Sequence, residues 1–464
     1  MSVRNDEFRD SIGTITDTGK RNWIFAKKPV GKLYNWRIVV SIVYLAVFFT
    51  LPWIKVYDEP LFLFNLLERK FILFGVIFWP QDFFLFALGF LTFVVFVVLF
   101  TVVFGRIFCG WICPQTIFME MVFRKIEYWI EGDMEKQKRL SQQAWNGEKI
   151  LKRGGKFIAF FTMSFIIANY FLAYIIGMDN VMLYVREGIF KHIGTFIPLT
   201  IFTGVFFFVY WWFREQACLI VCPYGRLQGV MLDPNSIVVA YDYVRGEPRG
   251  KVTKHEENKL GDCIDCFACV KVCPTGIDIR NGTQMECVNC TACIDACDDI
   301  MEKVHRPLGL IRYASENNIA KKEKVKFTPR IAAYTFVLLS LLVALGFLLS
   351  TRKDVQATIM RAQGMLYQEQ PDNKISNLYN IKLINKTRKD IPLTLKIEDD
   401  EIPGEIKMVG KDLLVKKESV GDGVFFVIVD KKYLHHRKNK IEIEIYQGDK
   451  KITEVKTNFM GPNK

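Results

Sequence analysis

The sequence predicts a multi-domain fold in three kinds of structure. These are an α-helical membrane domain of about five spans, a small cysteine-rich module inserted before the last span, and a C-terminal all-β immunoglobulin-like sandwich. Three observations predict it. Five apolar stretches are each long enough to cross ~30 Å of hydrocarbon. Eight of the 12 cysteines fall in one evenly spaced double run, Cys263 to Cys297. The last hundred or so residues alternate apolar and polar side chains in short runs separated by Gly and Asp turns.

Composition agrees with that division. Half of the 464 residues are apolar and 39 are Phe, yet 24% are charged, a mixture that suits spans joined to soluble parts better than one large core. The net charge of +13 excludes little by itself. Its basic residues crowd beside the apolar stretches, however, as positive flanks of membrane spans do, which favours a lipid bilayer and no nucleic acid as partner. The first thirty-odd residues are polar and basic, with no apolar core of a cleavable signal peptide.

Taken in order, residues 1–35 read as a basic cytosolic tail with little structure of its own. Residues 36–230 form the membrane domain. Trp36 to Trp53 is the first span, aromatic at both edges as interfacial belts require. Ile54 to Gln81 is apolar but interrupted by Asp58, Pro60 and Glu68-Arg69-Lys70, and reads as an outer loop with an interfacial helix. Asp82 to Phe104 is the second span. The segment from Gly105 through Lys156 is dense in Lys and Arg and is expected in the cytosol. Phe157 to Ile176 and Phe196 to Phe213 are the third and fourth spans. Residues 242–312 form the cysteine-rich module and residues 331–350 the fifth span. An odd number of spans places the sandwich, residues 354–464, in the periplasm. The five spans are expected to carry no charged side chain, leaving no intramembrane proton path.

The cysteine run reads Cys263-x-x-Cys266-x-x-Cys269-x-x-x-Cys273-Pro274, then Cys287-x-x-Cys290-x-x-Cys293-x-x-x-Cys297-Asp298. Two-cluster ferredoxins use this spacing, the fourth cysteine of each run ligating the other cluster. It assigns Cys263, Cys266, Cys269 and Cys297 to one 4Fe–4S cluster and Cys287, Cys290, Cys293 and Cys273 to the second. Zinc ribbons need two pairs of ligands and have no use for three even thiols and a fourth.

The other four cysteines form Cys109-x-x-x-Cys113-Pro114 and Cys218-x-x-x-Cys222-Pro223, just beyond the second and fourth spans. On a helix, positions i and i+4 share a face, so each pair has the spacing to grip a soft metal ion such as copper between its thiols. A further cluster or a redox dithiol fits the spacing equally well. No cysteine is left over, and thiols that must stay reduced place all these segments in the cytosol. The five histidines (His192, His255, His305, His435 and His436) lie outside the spans, which argues against a membrane haem. The carboxylates around the run, Asp262, Asp265, Asp278, Glu286, Asp295, Asp298 and Asp299, read either as a docking face that tunes the clusters or as ordinary solvated surface.

The stretches Gly261–Arg280 and Gln284–Asp298, with Cys109-Gly-Trp-Ile-Cys-Pro-Gln-Thr116 and Cys218-Leu-Ile-Val-Cys-Pro-Tyr-Gly-Arg226, resemble the cytochrome c oxidase accessory protein family, CcoG (also called FixG or RdxA). The order of spans, module, last span and sandwich matches over nearly the whole chain. The resemblance implies a bacterial inner-membrane protein assisting assembly of a haem–copper cytochrome oxidase, by reducing Cu(II) to Cu(I). Its implied partners are oxidase assembly factors or copper chaperones and an unidentified electron donor. Cys109, Cys113, Cys218 and Cys222 are the expected copper site. Quinol-oxidising membrane ferredoxins share the cysteine motifs but generally lack the sandwich, and a non-catalytic copper carrier or assembly scaffold is a third reading.

Overall fold

The computed structural model describes residue 14 and residues 20–462, apart from 58, 67–69, 80–81, 252–259, 324–327, 353–354, 363, 365, 388, 398–401, 411–412 and 418. His255 and, in the basic tail, residues 1–13 and 15–19 therefore lie outside the described residues. The chain folds as two compact units, residues 1–345 and 346–464.

Among the described residues, five helices are long and apolar enough to cross a membrane: Lys32–Trp53, Phe83–Phe104, Gly147–Ile176, Ile193–Phe213 and Pro329–Ser350. The third helix starts ten residues before its apolar part, because Asn146 caps it and accepts from the Lys149 backbone N–H at 2.8 Å. The spans are not free of charge. Arg37, inside the first, is buried and donates from Nε to the Gly110 carbonyl at 2.6 Å; Asp82, at the start of the second as bounded above, is buried too.

Residues 54–81 hold no interfacial helix among those described. They form a short antiparallel meander of Phe62–Asn65, Lys70–Leu73 and Val76–Phe78. Leu63, Ile72 and Ile77 bury one face together. Phe74 and Gly75 both take positive φ and join Leu73 to Val76 directly, the two-residue hairpin geometry that matches strand twist.

The cysteine-rich module is closed by pairing Val238–Tyr241 antiparallel to Ile311–Ala314. Its core gathers Val239, Tyr241, Ile277, Ile279, Ile294, Met301, Leu310 and Ile311 around the cysteines. Residues 20–31 have almost no regular structure, yet they are not a loose tail. Lys27 N–H donates to Lys271 O at 2.8 Å, and Tyr128 OH donates to Ala26 O at 3.0 Å.

The second unit is a two-sheet sandwich. In one sheet Lys374–Asn385 lies between Val355–Arg361 and Val420–Asp430. In the other, Ile391–Ile397 pairs with Leu413–Val415 and Lys438–Gln447, and Lys450–Met460 completes the edge. Alternate residues such as Ile381 and Leu383, Phe425 and Val427, Ile441 and Ile443 point inward to one apolar core. Tyr379 stacks on Phe425 at 5.6 Å.

Candidate metal centres

Each run of three cysteines turns in the same way. Asp265 and Phe267 flank Cys266 with φ of 55° and 59°, while Asn289 and Thr291 flank Cys290 with φ of 53° and 66°. Four non-glycine residues in left-handed backbone, at equivalent places in both runs, carry strain that persists only where surroundings impose it. The consequence is a chain wound tightly enough to aim three thiols at one volume. Cys263, Cys266, Cys269 and Cys297 line one small cavity. Cys273, Cys287, Cys290 and Cys293 line a second, to which Cys269 also contributes.

The rest of both linings is largely apolar, with Ile264, Met301 and Ile311 in the first and Val239, Ile277 and Val288 in the second. Burial pushes the thiols of Cys269, Cys287 and Cys297 up to about 12 and that of Cys290 up to about 11. Such thiols give up their protons to a soft metal group and not to water. Four thiols about each of two largely apolar cavities suit a cubane, which spreads its ligands over four corners.

Charged side chains brace the turns. Arg280 is buried, pairs with Asp265 and with Asp278 (2.6 Å), and stacks on Phe267 at 4.1 Å. In the second run, Asn289 Oδ1 accepts from Val239 N–H at 3.2 Å and its carbonyl accepts from Tyr313 OH at 3.3 Å. Six of the seven carboxylates near the runs, all but Glu286, are therefore engaged and do not form a free acidic face. Asp262 pairs with Arg245, Asp298 accepts from Gly309 N–H at 2.9 Å, and Asp299 pairs with Lys303 at 2.6 Å. Asp295 does the most. Buried in the module, it accepts from Leu33 N–H (3.1 Å) and Tyr34 N–H (2.8 Å) and so caps the first membrane helix.

The two membrane-end motifs are not i, i+4 pairs on helix faces. Cys113 and Cys222 both have extended backbone, ψ 126° and 111°, and each begins a new helix at the following proline. Their N–H groups reach back five residues, Cys113 to Phe108 O and Cys222 to Ala217 O, both at 2.9 Å. Proline disfavours helical backbone in the residue before it, and here the Cys-Pro step breaks each helix and swings the second thiol off its axis. The four thiols nevertheless lie near enough to repel one another. Burial raises Cys109 to about 11 and Cys218 to about 12; Cys113 and Cys222 add repulsion at each, and Gln228 opposes the rise by donating to Cys109 Sγ at 3.0 Å. Among the described residues, no three Cys, His or carboxylate groups stand ready to hold a single ion as they are.

Gly110 joins this quartet to the module. A Cβ there would lie 2.5 Å from Val288 O and 2.8 Å from Asn289 O, so only glycine lets the first motif touch the loop between Cys287 and Cys290. Arg106 donates to Met285 O, Gly225 O and Cys287 O, tying both motifs to that same loop. Beside the quartet runs a buried ionic chain. Glu215 faces Arg21 (3.2 Å) and Arg214 (3.7 Å), Arg214 binds Glu127 (2.9 Å), and Glu127 binds Lys156 (2.6 Å).

Comparison with known proteins finds three family models in the chain. A 4Fe–4S dicluster domain model matches residues 213–316, a 4Fe–4S binding domain model residues 86–136, and a model described as the IG-like fold at the C-terminal of FixG residues 345–462. Protein RdxB of Cereibacter sphaeroides is 34% identical over 400 residues, 82% of this chain and 83% of that protein. The chain belongs to the FixG family. Nitrogen fixation protein FixG of Rhizobium meliloti is 31% identical over 452 residues, covering 87% of this chain and 83% of that one. Protein RdxA of Cereibacter sphaeroides is 33% identical over 394 residues, covering 82% of each. As a FixG-family protein it is a membrane iron–sulfur protein of electron transfer, with the immunoglobulin-like domain of that family at its C-terminal end.

Sequence reasoning missed Arg37, Arg106, Gly110, Gln228 and the capping role of Asp295. Two of them carried a local signal: Gly110, a glycine between two ligand-type cysteines, and Arg37, a charge inside an apolar span.

Proposed function

We propose that this protein reduces Cu(II) to Cu(I) at Cys109, Cys113, Cys218 and Cys222, in support of cytochrome c oxidase assembly. The observation that carries the reading is the Gly110 contact, which sets the thiol quartet against the Cys287–Cys290 loop. Cys263, Cys266, Cys269 and Cys297 hold one 4Fe–4S cluster in this reading, and Cys273, Cys287, Cys290 and Cys293 hold the other. Bound there, the clusters supply one-electron chemistry. Copper is the substrate: thiolates prefer the soft Cu(I) ion, so the quartet favours reduction and then retains the product. The quartet closes on the ion as it binds, since no ready-made single-ion geometry precedes it. Residues 1–35, 36–230, 242–312, 331–350 and 354–464 act as tail, membrane domain, cluster module, last span and periplasmic domain of an inner-membrane protein, with the clusters in the cytosol. Oxidase assembly factors or copper chaperones take the product.

The test is the double variant Cys113→Ala with Cys222→Ala. Both cluster spectra should survive, while copper binding and Cu(II) reduction are lost. Unaltered Cu(II) reduction would exclude the quartet.

A second reading, quinol oxidation, draws on a cavity of about 250 Å3 beside the ionic chain, walled by Trp23, Phe25, Trp211 and Trp212 with Glu127 and Lys156 at its polar side. A quinol-dependent reduction of the clusters, blocked by Trp212→Ala, would favour it over the copper reading.

A further inference from the structure

Among the 12 cysteines, Cys266 alone is exposed; the other eleven are buried or half-buried. It opens into a recess of about 710 Å3 on the face of the module that carries the N-terminal arm. Lys27 and Lys28 of that arm, Lys32 at the start of the first membrane helix, and Lys271 line the recess, and all four are exposed. Among the described residues none of them has an ion-pair partner. The carboxylates of the same recess are largely engaged: Asp295 by the first helix, Asp298 by Gly309 N–H, Asp299 by Lys303. Glu302 is left against four lysines, so the free charge is positive. Exposed apolar side chains, Val30 and Leu308 in the lining and Phe267 beside Cys266, complete the patch.

An open, lysine-rich patch with apolar side chains and a single cluster-type ligand at the surface has the make-up of a small, transient electron-transfer interface. Such interfaces are small, and complementary charge supplies orientation and on-rate more than affinity. We propose that this recess docks a soluble one-electron carrier protein whose redox group is rimmed by carboxylates. The proposal rests on the iron–sulfur reading of Cys266 and names the class of donor. In the step it serves, the reduced carrier loses one electron and the group held by Cys266 gains one. No bond forms or breaks. The module thus has two distinct ends, an exposed one at Cys266 and a membrane-facing one at Val288–Asn289.

The probe is an acidic flavodoxin, used oxidised for binding and fully reduced for kinetics, with the full-length protein in detergent. Lys27→Glu, Lys28→Glu and Lys271→Glu are combined, and neutral photoreduced deazaflavin, which needs no docking, is the reference reductant. Oxidised flavodoxin should bind the triple variant at least tenfold more weakly at low salt. Reduction by flavodoxin hydroquinone should slow by a similar factor and lose most of its dependence on ionic strength, while the deazaflavin rate stays unchanged. Equal binding and equal rates for wild type and variant would overturn the proposal. If the triple variant loses its clusters, the single reversals Lys28→Glu and Lys271→Glu are to be read in the same way. A wild-type protein that deazaflavin cannot reduce would sink the iron–sulfur reading instead, and oxidised-flavodoxin binding would still decide the docking claim.

Discussion

Replacing Gly110 by alanine drives a methyl group into the loop between Cys287 and Cys290. The new Cβ would stand 2.5 Å from Val288 O and 2.8 Å from Asn289 O, where Cβ contacts below 3.0 Å are essentially never seen, so the surfaces must part by about half an ångström or more. The obstacle is backbone, and that backbone is pinned through Asn289 by Val239 and Tyr313. Overpacking against such a wall costs about 1–3 kcal/mol. Since ångström-scale misplacement of reacting groups costs up to ~100-fold, roughly a tenfold slower transfer to the thiol quartet is expected. The assay is thermal unfolding of the detergent-purified protein together with single-turnover Cu(II) reduction. Gly89→Ala, inside the second span with nothing within 4 Å of its Cβ, is the control and should be silent in both. If Gly110→Ala matches that control in melting temperature and rate, the contact does not join the two centres.

Other perturbations separate the parts of the account. Anaerobically purified protein should carry about eight iron and eight acid-labile sulfides per chain; iron near four with zinc making up the rest would contradict two clusters. Arg280→Gln leaves the buried side of Asp265 and Asp278 without its cation, so the Cys263–Cys269 cluster signal should weaken while the other persists, as resolved by EPR. Asp295→Ala removes the acceptor for Leu33 and Tyr34 N–H, which should cost about 1–2 kcal/mol and speed proteolysis of residues 20–31. Glu127 is raised by burial but lowered further by Arg214 and Lys156, to about 2 from 4.5. Its stabilisation, roughly 3 kcal/mol, is complete above pH 4.5 and lost as pH falls towards 2. The stability gap between wild type and Glu127→Gln should therefore shrink on acidification through that window.

Much of the fold was legible because its signals are long or repetitive. Five apolar stretches near twenty residues, eight cysteines in register and alternating runs such as Ile441-Glu-Ile-Glu-Ile each point to one kind of structure. The failures share a physical cause, which is that they depend on contacts between distant segments or on very short elements. Strands of three or four residues, as at Val76–Phe78, leave no periodicity, and the breaks at Lys70 and Pro60 pass for interruptions of a helix. The Cys-x-x-x-Cys spacing suggests one helix face, but the proline after each second cysteine already limited that reading, since it extends the residue before it. Asp295 looks like one of several surface acids until the first helix is seen to start on it. Arg37 escaped notice as one charge in an apolar run, and its partner, the Gly110 carbonyl, lies 73 positions away.

The most direct test of the account mixes the fully reduced, copper-free protein with one equivalent of Cu(II) under anaerobic conditions and follows both metals by freeze-quench EPR. The reduced iron–sulfur signal and the Cu(II) signal should decay in one shared phase, leaving Cu(I) bound to the protein. A Cu(II) signal that persists while the clusters stay reduced would contradict it.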